Sequence, residues 1–219
     1  MEILFRTLTG NIDHFAHGLL VSAEICVLAY VAALLGGLLL CLTRLYVPLL
    51  RPVAGFVMAY CRNTPIFVQL MWVAYAWYEL LGWPREVFTA AWVALALQSA
   101  GYLAETFRAG IEGIERGQTE AALAIGMSRP RILRRILLPQ ALIVMAPSLM
   151  NQFVVVVKCS TLVSIIAVPD LMYEALRLTT IWNDPVGILS VTAAIYVALL
   201  LLLAHLSKRF ADRLRLAYT

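Results

Sequence analysis

Along the chain, long apolar runs alternate with short polar intervals, and their lengths predict a bundle of membrane-crossing helices. Residues 1–18 mix polar and apolar side chains, with Ile3, Leu4, Leu8, Ile12 and Phe15 near helical spacing, which predicts an amphipathic helix on the membrane surface. The run 19–42 is a first crossing, because a hydrocarbon core of ~30 Å needs roughly 20 apolar residues. A second crossing is expected over 66–81, after the polar group Arg62, Asn63, Thr64 and Pro65. Trp72, Tyr75, Trp77, Tyr78 and Trp83 crowd its far end, as in the aromatic belt where a helix leaves lipid. Third, fourth and fifth crossings follow over 87–107, 138–157 and 186–206, with Pro147 expected to kink the fourth. Residues 169–180 read as a short helix outside the lipid, and 207–219 as a basic tail.

The polar interval 108–137 is the exception in an apolar chain, and it carries Arg108, Arg116, Arg129, Arg131, Arg134 and Arg135. Its pattern predicts two short helices. The first runs from Gly117 through Gln118, Glu120, Ala121, Ala122 and Ile125 and stops at Gly126. A second starts at Ser128 as cap, with Pro130 in its first turn, where a missing N–H does no harm. A small-residue helix face backed by arginines and held outside the membrane suits a groove on a partner protein.

Composition supports this reading. The chain has 219 residues, 62% of them hydrophobic and only 14% charged, with a mean hydropathy of +0.85. These values fit a single integral membrane domain, 1–219, rather than a soluble one. No charged n-region followed by a cleavable apolar stretch opens the chain, so the N-terminus is expected to be retained. Cys26, Cys41, Cys61 and Cys159 show no CxxC spacing and read as small packing residues. His14 and His17 lack a nearby third ligand, which makes them interfacial side chains rather than a metal site.

Charge placement sets the expected orientation. Thirteen of the 17 basic residues fall in alternate loops and the tail, whereas Arg6, Arg85, Lys158 and Arg177 fall in the opposite set. The positive-inside rule therefore predicts an outside N-terminus, with 108–137 and the tail in the cytoplasm. Five crossings have the same parity.

The chemistry is that of passage rather than catalysis. No GxxxxGK[ST], HExxH or GxSxG motif occurs, so no catalytic residue, bound cofactor or metal is expected on this chain. Several polar side chains nevertheless lie at membrane depth, where a charge costs about 2.5–3.5 kcal/mol on insertion scales. Gln98, Asn151, Gln152, Lys158, Ser160 and Thr161 are candidates to line a path, with hydrogen bonding between helices as the alternative. Glu105 lies three residues before Arg108, which predicts an ion pair at the cytoplasmic exit.

These residues together resemble the permease subunit of bacterial ABC importers for polar amino acids, of the type I importer fold. Glu120, Ala121, Ala122 and Gly126 resemble that family's EAA loop, and Arg62, Asn63, Thr64, Pro65 and Gln69 its R-G-T-P and Q-L signature. Tyr102, Glu105, Arg108, Ala109, Gly110, Ile111, Gly117 and Gln118 resemble the run before the loop. Pro139, Gln140, Ala141, Pro147, Asn151, Lys158, Ser160, Thr161 and Leu162 resemble the run after it. Asn63 stands where the family has glycine, and Cys159 where an acidic or amide residue follows the lysine.

The resemblance implies an all-α half-transporter with five crossings in a bacterial inner membrane. It also implies a second permease subunit, identical or paralogous, and a periplasmic or tethered solute-binding protein. Two ATPase subunits would hold ATP and Mg and dock on Gly117, Gln118, Glu120, Ala121, Ala122, Ile125 and Gly126. It further adds Gln69 and Tyr102 to the candidate path residues. Two other readings remain at this stage: an ATP-independent secondary transporter, against which the lack of internal repeats argues, and a non-transporting regulator that recruits an ATPase.

Overall fold

The computed structural model describes residues 10–216, which are all-helical with no strand among them. Eight helices follow in order: α1 (Ile12–Tyr46), α2 (Arg51–Asn63), α3 (Ile66–Leu81), α4 (Val87–Glu112), α5 (Arg116–Ala124), α6 (Arg129–Ile166), α7 (Leu171–Trp182) and α8 (Pro185–Leu216). A 3₁₀ turn, Pro48–Leu50, joins α1 to α2.

Among the described residues, four helices are long and apolar enough to cross a membrane: α1, α4, α6 and α8. The other expected crossing, 66–81, is the shorter apolar helix α3. It is short because the chain breaks at Thr64–Pro65. Thr64 is extended (φ −77°, ψ 125°), as expected of a residue whose backbone is crowded by a following proline ring. Within α3, Trp72–Ala76 forms a π turn. Its aromatic residues join a chain of rings. Rings of Tyr60, Trp72, Trp77 and Trp83 follow one another at 5.6–6.3 Å between centroids.

Two boundaries differ from the sequence expectation. The predicted surface helix over 1–18 lies partly outside the described residues, and from Ile12 onward it is the first turns of α1, with no break before the crossing. The second short helix of the polar interval does not stand apart from the fourth crossing. It runs on through a π turn, Leu133–Leu137, as one helix from Arg129 to Ile166. The helix is also continuous through Pro147. The π turn sits just before Pro139, whose ring and missing N–H disturb the carbonyls of the preceding turn.

α4 is the centre of the bundle. Its alanines at 90, 91, 94, 96, 100 and 104 are all buried, and α1, α2, α3 and α6 pack around it. α1 meets it with a stripe of small residues four apart, Ala29, Ala33, Gly37 and Cys41, all buried. Small side chains let helix backbones approach closely, which is how helices associate where lipid offers no hydrophobic gain between them. At Gly37 the approach is closest: an added Cβ would lie 2.9 Å from Leu103 Cβ and 3.0 Å from Ala100 O and Ala104 N.

A second, smaller core joins the start of α1 to α7 and the start of α8 through Phe15, Leu171, Ala175, Leu178, Ile188 and Val191. Asp170 caps α7, accepting from Tyr173 N at 2.9 Å, while Leu171 N donates to Ser22 Oγ at 3.1 Å. Asp170 is fully buried, and its Oδ2 has no hydrogen-bond partner among the described residues. Burial pushes its carboxyl up to about 6, against the opposing pull of the Tyr173 amide. On the surface of this cap Arg177 Nε donates to Glu174 Oε2 at 3.1 Å, and Arg177 Nη2 lies 2.8 Å from His14 Nδ1.

Candidate functional site

Two features of the sequence reading become geometry: the polar elbow between α4 and α6, and the polar side chains of α4, α6 and α8.

The elbow is a helix closed by a glycine. After α5, Gly126 takes a left-handed conformation (φ 78°) that a side chain would strain. Gly126 N donates to Leu123 O at 2.9 Å and Met127 N to Ala122 O at 3.0 Å, the paired bonds of a Schellman C-cap. Ser128 occupies the N-cap of α6 in an extended conformation, but its side chain makes no capping bond, so its expected hydroxyl cap is absent. The backbone still closes, with Ile132 N donating to Ser128 O at 3.0 Å. Gly117, Gln118, Glu120, Ala121, Ile125 and Gly126 are exposed, and Ile125 is 77% exposed. Ala122 is buried, at 3%. Its side chain belongs to the elbow's own packing, and Leu123 and Ile125 are the large apolar groups the elbow presents.

Just before the elbow, the foot of α4 is tied by an ion network. Arg108 Nε donates to Glu105 Oε2 at 3.1 Å, and the same guanidinium bonds Glu105 Oε1 and Glu112. The pair expected from the spacing is therefore present. Arg44 at the end of α1, which sequence reasoning did not connect to it, brings its Nη1 to 3.9 Å from Glu105 Oε2 and 3.8 Å from Met58 Sδ. Its only sequence signal is its place at the foot of an apolar run. The network joins α1, α2 and α4 at the level where α4 leads into the elbow.

The path candidates divide into two groups. Gln69, Gln152 and Ser160 are buried within the single chain. Gln152 Nε2 donates to Ser99 Oγ at 3.4 Å, joining α6 to α4, and Ser160 Oγ donates to Val157 O at 2.9 Å. Thr161 Oγ1 donates to Lys158 O at 2.9 Å, closing its own helical turn. Among the described residues, neither amide atom of Gln69 has a hydrogen-bond partner. Tyr102, Asn151 and Lys158 are exposed, and Gln98 is half-buried. Tyr102 Oη donates to Arg62 O at 3.3 Å, holding the chain where it breaks before α3.

Two cavities flank the exposed face of α6. One, of about 330 Å³, is lined by Arg62, Tyr102, Glu105, Thr106 and Ser148 among others. A larger groove of about 460 Å³ lies between α6 and α8 and includes Asn151, Lys158, Ser207 and Lys208. Ser207 and Lys208 had been read only as part of the tail, because nothing in the sequence brings α8 back against α6.

The chain as a whole has counterparts among known proteins. Residues 28–216 match the family described as the binding-protein-dependent transport system inner membrane component. The chain belongs to that family. The arginine transport system permease protein ArtQ of Bacillus subtilis is 33% identical over 221 residues, covering 98% of this chain and 99% of the relative. A putative glutamine transport system permease protein GlnP of Rickettsia felis is 32% identical, covering 87% of this chain and 88% of its own length. Among solved structures, an amino acid ABC transporter crystallised with histidines superposes with a TM-score of 0.89 at 31% identity, covering 95% of this chain and 98% of that one. The MetNI methionine ABC transporter shares the fold, with a TM-score of 0.76 at 20% identity and coverage of 94% of this chain and 98% of that one.

Proposed function

We propose that this chain is the membrane-spanning permease subunit of an ATP-driven ABC importer in a bacterial inner membrane and carries a polar amino acid delivered by a solute-binding protein. The observation that carries the proposal is the elbow. It is a short exposed helix with a glycine-fixed end, presenting Leu123 and Ile125 to the outside of the bundle. In this reading the elbow faces the cytoplasm and seats in a cleft of an ATPase subunit through Gly117, Gln118, Glu120, Ala121, Ile125 and Gly126, with Ala122 packing it from behind. ATP and Mg belong to the ATPase pair, because this sequence has no phosphate loop.

When the ATPases close, the elbow and the rigid foot of α4, tied by Arg108, Glu105 and Arg44, move together. The opening between the helices then changes sides by a rigid-body shift. ATP biases that equilibrium only through its different affinity for the two states. A second permease subunit, identical or paralogous, completes the path against the face bearing Gln98, Tyr102, Asn151 and Lys158. Gln69, Gln152, Ser160 and Thr161 support that face from behind.

The test is reconstitution. In proteoliposomes, the chain with its ATPase and binding protein takes up labelled amino acid only with ATP, and the chain alone does not. Uptake by the isolated chain, or protease cleavage of the elbow from the outside of intact cells, would refute the proposal.

A further inference from the structure

We infer that Gln69 is a gate residue: a one-residue register shift at the π turn of α3 turns it out of the core and onto the face that carries the path during the transport cycle. The inference rests on the transport reading above and adds the segment that moves and the residue it brings out.

Its ground is an amide in the wrong surroundings. Gln69 is 1% exposed, and neither its Oε1 nor its Nε2 has a hydrogen-bond partner among the described residues. Leu70 and Val73, the other buried residues of α3, belong to the apolar core with Ala90, Ala91 and Ala94 of α4. A buried amide with both ends unpaired is costly, so the chain gains by any arrangement that brings it to water or to a partner.

The helix around Gln69 can supply that arrangement. The segment Ile66–Met71 is set off at both ends. Before it, Thr64 is extended and Pro65, which has no N–H, separates it from α2. After it comes the π turn Trp72–Ala76, in which Trp77 N donates to Trp72 O, five residues back. A π turn spans one residue more than an α turn, and such turns are frequent at functional sites. If the extra residue passes to the other end of Ile66–Met71, the segment turns about its axis by one position, about 100° at 3.6 residues per turn.

The neighbouring side chains fit this step in one direction. Val68, one place before Gln69, is 51% exposed, whereas Leu70, one place after it, is fully buried. Turning Gln69 to the present place of Val68 brings Leu70 to the place of Gln69 and Met71 to that of Leu70. Apolar side chains then fill both buried places, and the amide is out. The opposite step would move Gln69 into the place of Leu70, still in the core. The path face is at hand: Tyr102, exposed on that face, donates Oη to Arg62 O at 3.3 Å just before the break, and Ile66–Met71 packs on Thr161–Ile166, the last turns of α6.

The experiment uses the complete permease–ATPase complex in nanodiscs, with Cys26, Cys41, Cys61 and Cys159 changed to alanine. Gln69→Cys or Leu70→Cys is added, and labelling by a charged, membrane-impermeant methanethiosulfonate is timed without nucleotide and after trapping with ATP and vanadate. Gln69→Cys should label at least tenfold faster in one of the two conditions. Leu70→Cys, which passes from one buried place to another, should stay unreactive in both. With the native cysteines present, Gln69→Leu should raise the melting temperature and lower ATP-driven uptake in proteoliposomes at least fivefold, because it stabilises the buried arrangement alone.

Equal labelling of Gln69→Cys in both conditions overturns the inference. So does exposure of Leu70→Cys in step with it, which would mean that α3 moves as a rigid body or loosens. A lower melting temperature in Gln69→Leu with uptake unchanged would make the amide a structural group satisfied by a buried water, and overturns the inference too. Any of these results, with ATP-driven uptake intact in the unaltered complex, leaves the transport reading standing. Absence of ATP-driven uptake of every amino acid would sink that reading itself.

Discussion

Gly37 offers the sharpest test of how this bundle is held together. A methyl group there would lie 2.9 Å from Leu103 Cβ and 3.0 Å from two backbone atoms of α4, whereas ordinary contact begins near 3.4 Å. Two of the three obstacles are main chain and cannot rotate away, so α1 and α4 must part by about half an ångström to accept Gly37→Ala. Overpacking of this kind costs about 1–3 kcal/mol.

Gly36 is the control, because its added Cβ would meet only Ala100 Cβ, at 3.5 Å. Both substitutions gain the same backbone preference of alanine over glycine in a helix, about 1 kcal/mol in water. The difference between the two variants therefore isolates packing. At about 2–4 °C per kcal/mol for a chain of this size, Gly37→Ala should melt roughly 2–12 °C below Gly36→Ala. The free thiols report the transition, since Cys26, Cys41 and Cys61 are buried, and Cys41 is one turn from Gly37 on the same stripe. A thiol-reactive fluorophore should label the Gly37→Ala protein at lower temperature. Equal melting of the two variants would refute the argument that α1 and α4 touch backbone to backbone.

Three further outcomes follow from named residues. The Asp170 carboxyl is raised to about 6 from an ordinary value near 4, so the folded state holds its proton more tightly than the unfolded one, and stability should fall as pH rises from about 4 to 6 by on the order of 3 kcal/mol. Asp170→Asn, an equally good helix cap, should flatten that slope in a thermal-melting pH series. On the elbow, Ile125→Asp should reduce co-purification of the ATPase at least tenfold with an unchanged melting temperature, whereas Ala122→Trp, at a buried site, should lower the melting temperature itself by overpacking. Gln98→Leu or Asn151→Leu should lower uptake, or ATPase activity stimulated by substrate, severalfold while the amount of protein in the membrane stays the same; the opposite pattern in quantitative blots and uptake assays would make these amides packing residues.

The linear order of residues was enough to place the long apolar helices, the polar elbow and its glycine stop. Each depends on local quantities: run length against bilayer thickness, and a left-handed position that glycine fills without strain. The Glu105–Arg108 pair was legible for the same reason, because neighbours three apart on a helix must meet.

What the chain order could not supply is which helix faces which. Arg44 joining that pair, Gln152 reaching Ser99, the burial of Gln69 and Ala122, and the return of Ser207 and Lys208 beside Lys158 all join or enclose segments distant in sequence. Those contacts are set by how small-residue stripes let backbones approach and by the angles the connections allow. Polar residues at membrane depth look alike in a sequence, and only packing separates amides that tie helices together from a lysine left facing an open groove.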